Sequence, residues 1–166
     1  LHDKNGRVAI PGFYDKVAPV SKAERKALNA LPWKMKDFKK TVGAAGLCGE
    51  KGFTIVEQLW IRPTMELDGI WGGYMDEGAK TVIPAVAMAK ISMRLVPDQH
   101  PDKIAQLFET YIKKVAPPTV ELKVTRMHGG KPWMTEYSNP YVQAAGRAIE
   151  QGFGRTPVFC REGGSI

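Results

Sequence analysis

The sequence predicts an α+β fold, a two-layer α/β plait in which helices cover one face of an antiparallel sheet. Two observations carry this prediction. The stretch from Leu67 to Leu95 contains two strand-like runs around a Gly-rich connection, and residues 101–115 repeat apolar side chains at helical spacing. The chain has 166 residues, of which 43% are hydrophobic, which is enough for one domain with its own core.

The segment before the hairpin predicts a surface connection followed by a short helix. Residues 1–19 mix Gly and Pro with isolated apolar residues, a pattern typical of an ordered connection. Ser21 and Glu24 have the spacing of a capping box, in which each side chain bonds a free amide at the helix start. We therefore expect a helix over residues 23–31.

Two more helices are predicted before the sheet begins. An amphipathic stretch after Pro32 runs to about residue 45 and ends at Gly46, a residue that favours helix C-termini. Residues 53–61 are mostly apolar and are followed by Pro63, which predicts a third helix that ends there.

From Thr64 the apolar pattern changes to a period of two, which predicts a strand hairpin. In its second run the apolar and polar side chains fall on opposite faces, as expected for a sheet with one buried and one wet face. The apolar face carries Ile91, Met93 and Leu95, and the polar face carries Lys90, Ser92 and Arg94.

Pro101 begins a further helix, at a position where its missing amide costs nothing. A third strand is then predicted over residues 120–125, where apolar and polar residues alternate. Strand, strand, helix, strand is most of a ferredoxin-like plait that is incomplete at its N-terminus. The helix should cover the hairpin with an apolar stripe of Ile104, Leu107, Phe108, Tyr111, Ile112 and Val115.

The last part of the chain predicts one more helix and a short buried strand. Asn139 and Pro140 are suited to the cap and the first position of the helix. Residues 158–160 are apolar and predict the strand. The composition changes near Trp133, which predicts a domain boundary between residues 1–133 and 134–166. The buried stripe of the helix should comprise Val142, Ala145, Ile149 and Phe153.

The formal net charge is +7, from 24 Lys and Arg against 17 Asp and Glu, which raises the question of an acidic partner. The densest basic cluster lies on one side of the second predicted helix, and no aromatic residues interleave with it. A solvated helix face is therefore favoured over nucleic-acid binding, which stays an alternative. The cluster comprises Lys34, Lys36, Lys39 and Lys40.

The cysteines and the hydropathy favour a cytoplasmic protein that does not enter a membrane. Cys48 and Cys160 form no CxxC pair and no disulfide framework, which fits a reducing compartment. No signal peptide is visible, and no apolar run approaches the roughly 18 residues of a membrane helix.

The histidines do not predict a metal site within the chain. His2, His100 and His128 are its three histidines, and none lies three to five residues from another His or from Cys. A GxSxG motif is also absent, so a nucleophilic serine is not indicated.

Polar side chains do leave the ends of the predicted strands. Thr81, Arg94, His128 and Ser165 each lie beside a Gly-rich loop or at a strand end. The planar fork of Arg suits a carboxylate, hydroxyl groups donate hydrogen bonds, and backbone amides in Gly loops bind oxyanions. Together these groups predict a clamp for a small carboxylate, although each alone would be read as a solvated strand, turn or loop residue.

Four loop motifs, in this order and at this spacing, resemble the di-zinc exopeptidase family, which includes carnosinase, cytosolic nonspecific dipeptidase, aminoacylase and succinyl-diaminopimelate desuccinylase. The dipeptidase branch is the most similar, and RPTMELDGIWGGY (62–74) agrees with it. Residues 1–61 add only a general likeness. The motifs are GAKTVIP (78–84), ISMRLVPDQ (91–99), HGGKPW (128–133) and REGGSI (161–166).

The resemblance implies a catalytic domain with two zinc ions and a Glu general base, and an inserted lid domain that mediates homodimerisation and closes over the substrate. Residues 1–133 would be this lid, with a helical N-terminal insertion, and residues 134–166 the return segment into the catalytic domain. Thr81 and Arg94 would contact substrate, and His128 would help to hold the substrate or the tetrahedral intermediate. The terminal carboxylate of a small peptide would meet Ser165 and the amides of Gly163 and Gly164.

Several family features have no counterpart here. They are the HxD metal motif, the adjacent Glu pair, the final metal-binding His, and the opening strand and helix of the lid. We therefore expect a piece of a longer parent enzyme that is inactive and holds no zinc by itself. The substrate stays open between a dipeptide, an N-acyl amino acid and a larger peptide, and a purely structural dimerisation module is the alternative function.

Overall fold

The computed structural model describes residues 1–163, and the sheet in this part of the chain is an antiparallel hairpin of two strands. β1 spans Thr64–Gly72 and β2 spans Ala87–Arg94. The register pairs Thr64 with Arg94 at the open end of the hairpin, and it is irregular between Leu67 and Gly69. The predicted hairpin is confirmed.

Residues 1–163 contain five helices, in chain order α1 (Lys22–Asn29), α2 (Met35–Val42), α3 (Ile55–Trp60), α4 (Pro101–Val115) and α5 (Pro140–Phe153). The Asn139 side chain accepts a hydrogen bond from the Tyr141 amide, so the predicted cap of α5 is confirmed. Gly43 ends α2 in the left-handed region at φ 69°, three residues before the predicted Gly46. None of the helices described is long and apolar enough to cross a membrane.

The main core lies between α4 and one face of the hairpin, which confirms an α+β fold with helices on one face of an antiparallel sheet. Ile104 of α4 and Met65 of β1 are buried in it, and the predicted inner face of β2 packs against them. The partly buried residues around this core include Ile91, Met93, Leu95, Leu107, Phe108 and Tyr111.

The N-terminal segment contributes to this core, although the sequence predicts only a surface connection there. Val8, Ile10 and Phe13 are all buried in the main cluster. The buried Gln99 amide donates to the Phe13 carbonyl at 2.8 Å and accepts from the Val96 amide at 2.9 Å. The segment therefore packs as part of the domain, because three isolated apolar residues each find a place in the core.

A second, smaller core joins α1 to α3. Leu28 of α1 packs with Val56 of α3 and with Ile61, and all three are buried. Thr54 caps α3 with a complete capping box, in which Thr54 Oγ1 accepts from the Glu57 amide and Glu57 Oε2 accepts from the Thr54 amide. At the predicted box of α1, Ser21 accepts from the Glu24 amide, but the Glu24 carboxylate contacts Arg161.

Two predicted strands and one buried stripe are wrong for the part of the chain that the structure describes. Residues 120–125 and 158–160 are irregular and mostly exposed, because alternation sets side-chain direction but a strand also needs a neighbouring backbone to pair with. On α5, Ile149 and Phe153 are exposed, Phe153 by 78%. The buried residue of α5 is Gly146, against which Phe159 lies.

Candidate functional site

The guanidinium of Arg94, the last residue of β2, lies against backbone carbonyls from two other parts of the chain. Nη2 donates to the carbonyl of Gln58 at 2.7 Å and to that of Arg62 at 3.3 Å. Nη1 donates to the carbonyl of Gly163 at 3.2 Å. Gln58 lies in the last turn of α3, where carbonyls have no partner within the helix. Arg94 therefore joins β2, the end of α3 and the C-terminal segment.

No carboxylate between residues 1 and 163 forms an ion pair with Arg94. The side chain is half-buried, and burial lowers the pKa of Arg94, while the nearby Glu66 carboxylate acts in the opposite direction. A guanidinium stays protonated at neutral pH because its ordinary pKa is so high. Its hydrogen-bond acceptors are neutral carbonyls, and Nε is buried without a hydrogen-bond partner in the described structure. This arrangement suits an anionic ligand such as a carboxylate.

A buried ion pair fixes the backbone that supplies one of these carbonyls. Arg62 Nε donates to Glu50 Oε2 at 2.7 Å, and Arg62 Nη2 donates to Glu50 Oε1 at 2.8 Å. Arg62 is 7% exposed and Glu50 is 6% exposed. A bidentate pair of this kind restrains both the distance and the plane of the guanidinium.

Two aromatic rings contact the same guanidinium. The Arg62 guanidinium carbon lies 5.2 Å from the Tyr14 ring centroid and 4.2 Å from that of Phe53. Two further guanidinium groups contact these rings: that of Arg7 lies 4.4 Å from the Tyr14 centroid, and that of Arg25 lies 5.7 Å from the Phe53 centroid. We call these five side chains the arginine–aromatic stack. Cation–π contacts stabilise it and tie the N-terminal segment and α1 to the start of β1.

The segment 161–163 is held against α3. Arg161 Nε donates to Glu24 Oε1 of α1, although the two residues are 137 positions apart. At Gly163 a Cβ atom would lie 2.9 Å from Trp60 Cα and closer still to the Leu59 carbonyl oxygen, so the contact needs glycine. Residues 161–163 of this motif therefore lie beside the Arg94 guanidinium.

The structure brings together some of the predicted site residues but not all of them. Arg94 and Gly163 are hydrogen-bonded, as given above. Thr81 is exposed in the connection 73–86, and His128 is exposed in the irregular segment 121–136, with the neighbouring Gly129 close to Pro101 at the start of α4. Within residues 1–163, no hydrogen bond joins Thr81 or His128 to Arg94.

Gly164 and Ser165 lie outside the described residues. Sequence reasoning missed the acceptors of Arg94, because a backbone carbonyl carries no residue-specific signal. It also gave Arg161 no role. The T-x-x-E spacing of Thr54 and Glu57 was a signal that could have located the start of α3.

The described residues do not fit a resident metal ion. No group of three or more His, Cys, Asp or Glu side chains between residues 1 and 163 could hold one. The zinc ligands implied by the family resemblance therefore have no counterpart in this part of the chain.

Residues 2–120 match the profile of the peptidase dimerisation domain of M20 peptidases. The chain belongs to this family. The match includes the hairpin with Arg94, α4 and the arginine–aromatic stack.

Curated relatives of this M20 dimerisation domain are dipeptidases. The Cys-Gly metallodipeptidase of Schizosaccharomyces pombe is 33% identical over 165 residues, which cover 98% of this chain and 35% of the relative. The enzyme of the same name from Candida albicans is 34% identical over 170 residues, covering 100% of this chain and 35% of that protein. The beta-Ala-His dipeptidase of Rattus norvegicus is 27% identical over 169 residues, covering 100% and 34%. The chain thus spans about a third of the length of these relatives.

Solved structures of M20 peptidases share the fold. An M20 family metallo-carboxypeptidase from Sulfolobus solfataricus superposes with a TM-score of 0.86 at 30% identity, covering 100% of this chain and 43% of that one. The di-peptidase Dug1p of Saccharomyces cerevisiae gives a TM-score of 0.77 at 29% identity, covering 100% and 35%. Human carnosine dipeptidase 1 gives 0.73 at 27% identity, covering 100% and 36%.

Proposed function

We propose that this M20 dimerisation domain is the lid of a zinc-dependent dipeptidase, which hydrolyses dipeptides or related amides, and that it supplies substrate-binding groups. Dipeptidase relatives that align along the chain support the reaction class. The observation that carries the binding role is the Arg94 guanidinium, which is half-buried, charged and surrounded by neutral carbonyls.

The C-terminal carboxylate of a small peptide is the ligand that this guanidinium suits best. Charge-assisted hydrogen bonds between guanidinium and carboxylate are short and about twice as strong as neutral ones. The buried Nε–H of Arg94 has no acceptor among residues 1–163, and leaving such a donor unsatisfied costs about 1–3 kcal/mol. A carboxylate bound at the guanidinium would compensate its unpaired positive charge, which favours binding.

The other predicted site residues keep their roles in this proposal. Thr81 and His128 are exposed and therefore free to meet a substrate that the closing lid brings to them. Ser165, with the amides of Gly163 and Gly164, would receive the same carboxylate. The two zinc ions would be held by residues outside the described range, and the intact enzyme would be a homodimer in the cytoplasm.

The complete polypeptide that contains this chain should be assayed on dipeptides before and after chelation. We expect hydrolysis to be lost on chelation and restored by zinc. Arg94→Ala and His128→Ala should each lower kcat/KM by about tenfold or more, since a hydrogen bond to a charged group contributes about 1.5–3 kcal/mol. Arg126→Ala and His100→Ala, at exposed positions that form no hydrogen bond with Arg94 among residues 1–163, are matched controls and should stay close to wild type.

The alternative function is a purely structural dimerisation module. It requires that Arg94→Ala and His128→Ala retain wild-type kcat/KM while the protein still dimerises. That result would refute the proposed substrate clamp.

A further inference from the structure

We propose that Glu24 and Arg161 are positioning residues, which hold the segment 161–163 in place beside the Arg94 guanidinium. The inference rests on the proposed function and adds a role for the N-terminal helices. Through this ion pair, α1 sets the location of the Gly163 backbone and thereby the shape of the carboxylate site.

The ion pair itself is sheltered from solvent. Glu24 lies in the first turn of α1, and its Oε1 accepts from Arg161 Nε. The two side chains are only 24% and 21% exposed. Salt screens a sheltered pair less than an exposed one, so this contact restrains the segment more than a surface ion pair would.

α1 is in turn packed against α3, the helix whose Gln58 carbonyl accepts a hydrogen bond from Arg94. Leu28 of α1 packs with Val56 of α3 in the smaller core. Arg25 Nε of α1 also lies 2.7 Å from Oε1 of the fully buried Glu57 of α3, an ion pair without hydrogen-bond geometry. Because α3 supplies the Gln58 carbonyl to Arg94, Glu24 is connected to the guanidinium through α1 and α3.

The segment 161–163 is therefore held at both of its ends. Arg161 is paired with Glu24, and two residues later Gly163 is pressed against Leu59 and Trp60 and accepts from Arg94. Two residues of chain span only about 7 Å, so little slack is left between these points. Removing the contact at Arg161 leaves only the contacts of Gly163 to place its carbonyl.

A double-mutant cycle in the complete polypeptide tests the pair. Glu24→Gln and Arg161→Gln should each raise KM for a dipeptide about fivefold, with kcat changed less than about twofold, because the site binds less well in the ground and transition states alike. The double variant should be no worse than either single variant, since the pair is already broken. Glu109→Gln breaks another Arg–Glu pair with an Nε–Oε1 contact, Arg126–Glu109, and is the matched control, with KM within about twofold of wild type.

Arg161→Lys separates positioning from general stability. This variant keeps the positive charge. We therefore expect it to reverse at least half of the increase in log KM caused by Arg161→Gln, with an unfolding midpoint close to that of wild type. A KM equal to that of Arg161→Gln, or additive effects in the double variant, would overturn the inference. If Arg94→Ala loses activity while both glutamine variants keep the wild-type KM, only the positioning role fails. If Arg94→Ala itself keeps wild-type kcat/KM, the proposed function fails as well.

Discussion

The carbonyl oxygen of Gly163 accepts a hydrogen bond from Arg94 Nη1 at 3.2 Å, across 69 positions of sequence. This contact joins the end of the hairpin to the C-terminal segment. Around it, α3 supplies a second carbonyl and α1 supplies the ion pair to Arg161. Helices α1 and α3, the end of β2 and residues 161–163 therefore meet around the guanidinium of Arg94.

Replacing Gly163 tests the close approach of the segment to α3. Gly163→Ala would place a Cβ atom 2.9 Å from Trp60 Cα, so the segment has to shift away from α3, which disturbs the hydrogen bond between the Gly163 carbonyl and Arg94. We expect kcat/KM of the complete enzyme to fall about tenfold, in line with the loss of one well-placed charged hydrogen bond. Steady-state kinetics on a dipeptide measure this effect.

The control for Gly163→Ala is Gly152→Ala in α5, where a Cβ atom meets nothing within 4 Å. Ala favours a helix over Gly by about 1 kcal/mol, so this variant should be active and somewhat more stable. Wild-type activity in Gly163→Ala would show that the segment need not touch α3.

The buried pair of Arg62 and Glu50 should dominate the stability of the arginine–aromatic stack. Arg62→Met leaves the Glu50 carboxylate buried without its bidentate partner, which costs about 3–5 kcal/mol. The free energy of unfolding from urea titration measures this loss. Arg126→Met, which removes an exposed ion pair, should cost no more than about 1 kcal/mol.

A second variant separates the charge from the packing around Arg62. Adding Glu50→Met to Arg62→Met removes the stranded carboxylate and should restore much of the lost stability. If Arg62→Met unfolds at the same urea concentration as Arg126→Met, the pair contributes no more than a surface contact.

The N-cap of α3 should stabilise the protein by less than the buried Arg62–Glu50 pair does. Thr54→Ala removes the hydroxyl that accepts from the Glu57 amide, and losing an N-cap costs about 1 kcal/mol. Thr110→Ala in α4 is the control, because that hydroxyl only bonds the Gln106 carbonyl within a helix. Equal urea midpoints for the two variants would contradict the role of the capping box.

Asp3 should make the thermal stability of the protein depend on pH in acidic solution. Amide hydrogen bonds from Arg7 and Asn5 lower the pKa of the Asp3 carboxyl below its ordinary value of 3.8. A group with a lowered folded-state pKa stabilises the protein above its unfolded-state pKa, and this contribution is lost as pH falls through the folded-state pKa. Asp3→Asn should therefore lower Tm at neutral pH, and the difference should narrow between about pH 5 and about pH 2. A difference that does not change with pH would contradict this assignment.

The hairpin and α4 could be predicted because their signals are local. Alternation along residues 90–95 and the helical stripe after Pro101 are local patterns. The structure confirms the alternation and the stripe from Ile104 to Tyr111, whereas Val115 at the end of the predicted stripe is exposed. Arg94 could be singled out for the same reason, since its position on the polar face follows from its neighbours. The third strand failed because alternation at residues 120–125 says nothing about whether a partner edge is present.

The surroundings of Arg94 could not be predicted from local patterns. Its acceptors are backbone carbonyls, which every residue has, and Glu24 and Arg161 are 137 positions apart. The sequence indicates which side chain carries the charge, whereas tertiary packing decides what surrounds it.

The most direct test compares two substrates that differ only at the group Arg94 is proposed to bind. A dipeptide and its C-terminal amide should be assayed with wild-type enzyme, Arg94→Lys and Arg94→Ala. Wild type should prefer the free acid, and Arg94→Lys should keep part of that preference because it retains the charge but loses the planar fork. Arg94→Ala should lower kcat/KM about tenfold to a hundredfold on the acid and leave the amide almost unchanged. An equal loss on both substrates, or an undiminished preference for the acid, would contradict carboxylate binding by Arg94.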